Sequence, residues 1–225
     1  MMLERTTTVN RNVAQRGDAL ALLRALPNDH VALGFFDPQF RDLLARQRYG
    51  NEGECQSVRA TLPQMTPDFI DAVVREFARV LKPSAYLMRW CDKFTLCEGH
   101  HLRIRSELLK VVDLIATDNE QIGMGYRTRY RGDLLLVLQK PPILARKTWR
   151  DRGIPDRWSE RVDRKLHPHI KPIGLITRLI AATTQPSDLV VDPAAGSFAA
   201  MKAALELGRE FIGCDLAFEE NRHAQ

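Results

Sequence analysis

Cysteine is scarce in this 225-residue sequence. The four present, Cys55, Cys91, Cys97 and Cys214, are irregularly spaced and never form Cys-x-x-Cys, which excludes a disulfide framework and a zinc ribbon of ordinary spacing. No metal is expected, because Cys91, Cys97, His100 and His101 match no standard ligand spacing and adjacent histidines on a helix point in different directions. No apolar run approaches the ~18 residues of a membrane span, and Met1 to Arg16 is polar, without the apolar segment of a signal peptide. The expectation is a soluble, cytoplasmic chain with reduced thiols and no membrane partner. Repeats and low-complexity tracts are also missing, and 44% hydrophobic residues suit one domain with a full core. What is in excess is positive charge. Thirty-three Lys and Arg against 28 Asp and Glu leave +5, which points toward a polyanionic partner.

Strand-length apolar runs alternate with helical patterns. Ala19 to Leu26 reads as a helix and Val31 to Phe36 as a buried strand stopped by Asp37-Pro38. Arg41 to Pro67 reads as a long loop, and Thr66-Pro67-Asp68 opens a helix ended by Lys82-Pro83. A strand over Ala85 to Trp90, a helix over Lys93 to Lys110, and strands at Val111 to Thr117 and Leu134 to Gln139 follow, the last two as a hairpin at the sheet edge. Residues 141–165 read as an inserted basic segment. A helix from Pro172 to Thr184, a strand Leu189 to Asp192, a helix Ala199 to Leu207 and a strand Glu210 to Cys214 complete the chain. The alternation predicts a three-layer α/β fold, mostly parallel with an antiparallel edge hairpin.

Two short segments carry chemistry. In the first, the strand ending at Asp192 feeds a turn of small residues, Pro193-Ala194-Ala195-Gly196-Ser197-Phe198, and the next strand ends at Asp215. Small residues let a ligand approach the backbone, and an acid at the following strand end is placed to accept from ribose hydroxyls. The dinucleotide and phosphate-loop fingerprints are missing, so a cofactor without a phosphate chain, such as S-adenosylmethionine, suits the turn. Such turns also occur with no ligand.

In the second, Asp37-Pro38-Gln39-Phe40 puts a carboxylate, a carbonyl and an aromatic face in one turn. The exocyclic amino nitrogen of adenine or cytosine is a poor nucleophile because its lone pair is delocalised. Two acceptors, the Asp37 carboxylate and the Pro38 carbonyl, hold its hydrogens and favour a more reactive nitrogen. Phe40 offers a stacking face for a base that has left its duplex, worth about 1–3 kcal/mol. An ordinary strand-terminating turn has the same four residues.

Taken together, the two segments and their flanks resemble the amino-group DNA methyltransferases in their permuted beta arrangement. Gly17-Asp18-Ala19-Leu20 with Leu26-Pro27 resembles the start of that family, and Arg79-Val80-Leu81-Lys82-Pro83 the helix end after its catalytic motif. His167-Pro168-His169-Ile170-Lys171-Pro172 resembles its His-Pro-x-x-Lys-Pro segment, and Asp192 to Phe198 its cofactor loop. The resemblance, spanning about residues 16–216, implies a circularly permuted, Rossmann-like S-adenosylmethionine-dependent sheet acting on double-stranded DNA with the target base flipped out. It implies that Asp37, Pro38, Gln39 and Phe40 form the acceptor turn. It also implies that Asp18 and Ala19 approach the cofactor's adenine, that Asp192, Pro193, Ala194, Gly196 and Ser197 surround its ribose and methionine, and that Asp215 holds the ribose. His167, Lys171 and Pro172 are implied near the methionine part. Asp at the head of the acceptor turn implies adenine ahead of cytosine. Gln39 departs from the family's second proline, which leaves a catalytically silent DNA-binding relative as the rival reading; methyl transfer to RNA or to a protein glutamine fits the motif order less well. None of the cysteines follows a proline, as the nucleophile of carbon-5 cytosine methylation does.

For DNA contact, Arg127, Arg129 and Arg131 alternate along one turn, and Arg146, Lys147 and Arg150 open a stretch to Lys165 with eight Lys or Arg, Trp149 and Trp158. Tyr49-Gly50-Asn51-Glu52 is a candidate to close over the flipped base. With no separate recognition domain, a homodimer is one way to gain DNA surface.

Overall fold

The computed structural model describes residues 9–38, 65–99, 104, 107–123, 127–162 and 170–218. In chain order the elements are α1 (Ala19–Arg24), β1 (Val31–Phe36), α2 (Pro67–Val80), β2 (Leu81–Cys91), α3 (Lys93–Cys97), β3 (Lys110–Asp118), β4 (Leu134–Gln139), α4 (Ala145–Thr148), β5 (Arg157–Ser159), α5 (Ile173–Thr183), β6 (Leu189–Asp192), α6 (Ala199–Glu206) and β7 (Glu210–Gly213).

The strands form one seven-stranded sheet ordered β5-β3-β4-β2-β1-β6-β7. β4 runs antiparallel to β2 and β3, and every other pairing is parallel. β1 pairs with β2 on one side and with β6 on the other, where Leu33 faces Val190. The strand that leads to Asp37 is therefore the spatial neighbour of the strand that ends at Asp192, although it comes first in the chain, as a permuted order requires.

Helices cover both faces. Leu22 and Leu23 of α1 and Ile70, Val73 and Phe77 of α2 bury against one side, and Leu175, Leu179 and Ile180 of α5 with Ala200, Ala203 and Ala204 of α6 against the other. The Thr66 hydroxyl accepts from the Phe69 amide at 3.2 Å and Pro67 takes the first turn of α2, where its missing N–H costs nothing. From the far end of that helix Arg79 donates to the Leu23 and Leu26 carbonyls at 2.8 and 2.9 Å, clamping α1 to α2. β1 is buried throughout, and a Cβ at Gly34 would run into the Phe77 ring, so only glycine lets α2 approach that closely.

Several boundaries differ from those predicted. α3 stops at Cys97 instead of continuing to Lys110, because Gly99 takes a φ of 73° and turns the chain out of the helix. β2 begins at Leu81 rather than Ala85. Ser84 adopts a φ of 63°, which lets Lys82 and Pro83 bulge while the strand keeps pairing with β1. The β3–β4 hairpin forms but lies one strand in from the edge, since β5 pairs outside β3 through Ala116, Thr117 and Asp118. The basic segment thus joins the sheet through β5 and packs on it elsewhere: the Trp158 indole donates to Glu160 at 2.8 Å, and Trp149 packs edge-on against Tyr86, with ring centroids 5.4 Å apart.

Residues before α1 lie along the last strand. The Asn12 amide donates to the Phe211 carbonyl at 2.7 Å, and the Asp215 amide donates to the Gln15 carbonyl at 3.1 Å. No described helix is long and apolar enough to cross a membrane.

Candidate active site

Parallel strands end their carboxylates at one edge, and here three of them meet. Asp37 follows β1, Asp192 ends β6, and Asp215 lies just beyond β7. Asp192 is 9% exposed and accepts from the Ala194 amide at 3.2 Å. Burial pushes its carboxyl up to about 8, against the pull of the Ala194 amide, and the charges of Asp37 and Asp215 add to the rise. Asp215 points back into the turn after β6, where its carboxylate accepts from the Gly196 amide at 3.1 Å. Gly196 and Phe198 have φ of 50° and 55°, and this pair of left-handed residues tightens the turn into α6. Pro193 is buried, while Ala194, Gly196 and Ser197 are partly open. Asp18 caps α1 through the Ala21 amide at 2.9 Å, and Ala19 is buried behind it. Gly17 packs on Cys214, where a Cβ added to the glycine would come within 3.0 Å of the cysteine Cβ, so the segment carrying Asp18 lies tight against the strand leading to Asp215.

Asp37 is held by a residue assigned from sequence to the cofactor. The Lys171 ammonium lies 3.1 Å from the Asp37 carboxylate and 2.8 Å from that of Asp133, over the Trp90 ring at 5.0 Å from its centroid. Burial alone would lower the Lys171 ammonium, but Asp37 and Asp133 together outweigh it and hold the group above the ordinary lysine range. Burial pushes the Asp37 carboxyl up; Lys171 pulls it down, and Asp133 adds to the rise. Pro38 is buried beside it. Pro172, next to Lys171, is buried and leads into α5.

Asp133 and Trp90 carry no signal in the sequence that points to the site. Trp90 is a core position of β2, and Asp133 precedes β4 in a hairpin, where an acid has no period to break. Asp133 is fixed by the structure around it: a Cβ at Gly132 would overlap the Thr117 carbonyl, and the Asp133 amide donates to the Thr117 hydroxyl at 2.9 Å. Gln39, Phe40, His167, the Tyr49–Glu52 segment, His100 and His101 lie outside the described residues.

The basic groups divide between the two ends of the sheet. Arg127, Arg129 and Arg131 are exposed on the hairpin at the carboxyl edge; Arg129 donates to the Gly123 carbonyl at 2.6 Å and Arg131 pairs with Asp118 at 2.8 Å. Arg146 and Lys147 sit on α4, beyond the end of β4 that pairs with the start of β2, and Arg150 donates to the Thr184 carbonyl at 2.7 Å. That is the opposite, amino edge, so these three are not brought together with Asp37. Burial pushes the Cys91 and Cys214 thiols up to about 12, far from the thiolate a nucleophile needs.

Comparison with known proteins settles the family. A family model described as DNA methylase, for N6 and N4 amino transfer, matches residues 139–225. The type II methyltransferase M.HhaII of Haemophilus parahaemolyticus is 43% identical over 216 residues, covering 95% of each chain. The chain belongs to the amino-group DNA methyltransferases. Its fold is shared with the PvuII cytosine-N4-specific DNA methyltransferase (TM-score 0.69, 16% identity, 95% of this chain and 89% of that one). It is also shared with M1.HpyAVI in complex with S-adenosylmethionine (TM-score 0.60, 17% identity, 90% and 91% covered).

S-adenosylmethionine is the methyl donor of this methyltransferase family, and the edge fits it. Asp37, Asp192 and Asp215 gather three carboxyl groups at that edge, hydrogen-bond acceptors of the kind ammonium and hydroxyl groups need, and the turn of small residues after Asp192 leaves Ala194, Gly196 and Ser197 partly open.

Proposed function

We propose that this chain moves a methyl group from S-adenosylmethionine to the exocyclic amino group of adenine in double-stranded DNA, with the target base flipped out of the helix. The observation that carries the reading is the pairing of β1 with β6, which brings the Asp37 acceptor turn and the Asp192 cofactor turn to one edge. When bound, the cofactor supplies an electrophilic methyl group. The Asp37 carboxylate and the Pro38 carbonyl then hold the two amino hydrogens and localise the nitrogen lone pair for attack. Gln39 and Phe40 complete the acceptor turn, Phe40 as the stacking face.

Around the cofactor, Asp215 holds the ribose hydroxyls; Asp192, Pro193, Ala194, Gly196 and Ser197 surround the ribose and methionine. Asp18 and Ala19 approach the cofactor's adenine, and His167 and Pro172 flank the methionine. DNA lies across the carboxyl edge, with Arg127, Arg129 and Arg131 on its phosphates. Asp at the head of the acceptor turn favours adenine.

The test is incubation of purified protein with unmethylated genomic DNA and labelled S-adenosylmethionine, beside Asp37→Ala, followed by digestion to nucleosides. Label in N6-methyladenine, lost in the variant, is the expected result. Label in N4-methylcytosine replaces adenine by cytosine, and no label in any nucleoside, although cofactor binds by calorimetry, overturns the reading.

A further inference from the structure

Lys171 has more to do than its assigned place beside the methionine requires. Its ammonium carries three hydrogens, and the described residues offer it two carboxylates: Asp133 at 2.8 Å and Asp37 at 3.1 Å. It engages Oδ2 of Asp37, and among the described residues Oδ1 of the same carboxylate meets no hydrogen-bond donor. An acceptor and a charged donor thus stand side by side where the target base arrives. Adenine and cytosine share one pattern on their Watson–Crick edge, an amino donor next to a bare ring nitrogen that accepts. Guanine sets its amino group beside a ring N–H on that edge, and thymine has no amino group.

We infer that Asp37 and Lys171 together read that edge, Asp37 accepting from the amino group while Lys171 donates to the adjacent ring nitrogen, and that Asp133 is the positioning residue that holds the lysine there. This rests on the proposed function, and it extends Lys171 from the cofactor to base selection. A base with a ring N–H beside its amino group meets the ammonium donor to donor and is rejected. Asp133 is itself built in place. Its backbone is bonded in both directions to Thr117, with the Thr117 amide donating to the Asp133 carbonyl at 2.9 Å, and Gly132 leaves room for that approach. The Trp90 face under the ammonium keeps the lysine extended across the strand ends.

The test uses the full chain and a duplex containing the base it labels, beside the same duplex in which the ring nitrogen next to the amino group is replaced by C–H (1-deazaadenine, or 3-deazacytosine if cytosine is labelled). Removing that nitrogen also alters the amino group, so the reading is the discrimination between the two duplexes in wild type compared with that in Lys171→Met. Wild type is expected to discriminate about ten- to a hundredfold more strongly in kcat/KM than the variant, the range for a hydrogen bond from a charged donor. Asp133→Asn, which leaves the lysine in the chain, is expected to lose several-fold of the discrimination with cofactor affinity by calorimetry unchanged; it carries the test if Lys171→Met does not fold. Equal discrimination in wild type and Lys171→Met overturns the inference, as does a Lys171→Met protein that loses only cofactor affinity. Failure of wild type to methylate any DNA refutes the proposed function instead.

Discussion

Glu160 accepts the Gly174 amide hydrogen across 2.9 Å, so the residue that follows the short edge strand β5 caps the helix after Lys171. Its other oxygen takes the Leu175 amide at 3.2 Å and the Trp158 indole at 2.8 Å. A carboxylate at this place satisfies orphan amides and faces the positive end of the helix. Glu160→Ala is expected to cost about 1–2 kcal/mol, a drop of roughly 2–8 °C in melting temperature by circular dichroism, and Glu160→Gln less. No change in the Ala variant would mean that the cap is redundant.

Asp37→Asn keeps the shape of the acceptor turn but removes its charge. Transfer of labelled methyl to DNA is expected to fall at least about a hundredfold, with cofactor affinity by calorimetry within a few-fold of wild type. A matching loss of cofactor affinity would move Asp37 from the acceptor to the donor side.

The acid limb of the pH–rate profile follows from the same pair. Burial raises the Asp37 carboxyl and Lys171 opposes the rise. The rate is therefore expected to fall on acidification at a pH above the ordinary carboxylate range. In Lys171→Met, with the ammonium gone, that limb moves to still higher pH; movement to lower pH would contradict the assignment.

Asp192 links the site to stability. Its carboxyl is at about 8 in the folded chain against an ordinary 3.8. Between those values the folded state binds more protons than the unfolded state, so Asp192 makes stability fall as pH rises through the window. Asp192→Asn is expected to melt higher than wild type at pH 8, with the gap closing toward pH 4. A cationic cofactor favours the ionised form, so binding near pH 7 is expected to release protons, read by calorimetry in buffers of different ionisation enthalpy.

The two basic groups separate by position. Arg127→Ala and Arg129→Ala are expected to weaken DNA binding and to lower the salt slope by about one each, while Arg146→Ala and Lys147→Ala at the amino edge leave it unchanged. Titration of a fluorescent duplex at several salt concentrations checks this, and a reversed order would put the DNA on the other edge.

The central fold was legible because its signals are local. Val31 to Phe36 is a continuous apolar run closed by Asp-Pro, and Thr66-Pro67-Asp68 is a cap, a first-turn proline and an acid in sequence order. Leu189 to Asp192 ended where its apolar run ended. β5 was not legible, since three residues with one tryptophan have no period and exist as a strand only through pairing with β3. The end of α3 was missed for a different reason: Gly99 was there to be read as a stop, and the flanking helical composition outweighed it. Of the acceptor site, the sequence showed Asp37 and Lys171 as separate motifs. Their contact, and Asp133 with it, depends on strand order, which residue spacing does not carry.

The pairing of β1 with β6 and the lacing of residues 12–17 onto Phe211 and Asp215 also govern when this enzyme comes into being. A ribosome that has made the chain through α5 has produced Asp37 and Lys171, but neither β6 nor β7. The early segment waits for a partner strand synthesised after it, a long-range closure of the kind that slows folding. Nascent chains therefore hold Asp37 and Lys171 before the strands that lead to Asp192 and Asp215 exist, and the three acids come to one edge only when β6 and β7 take their places.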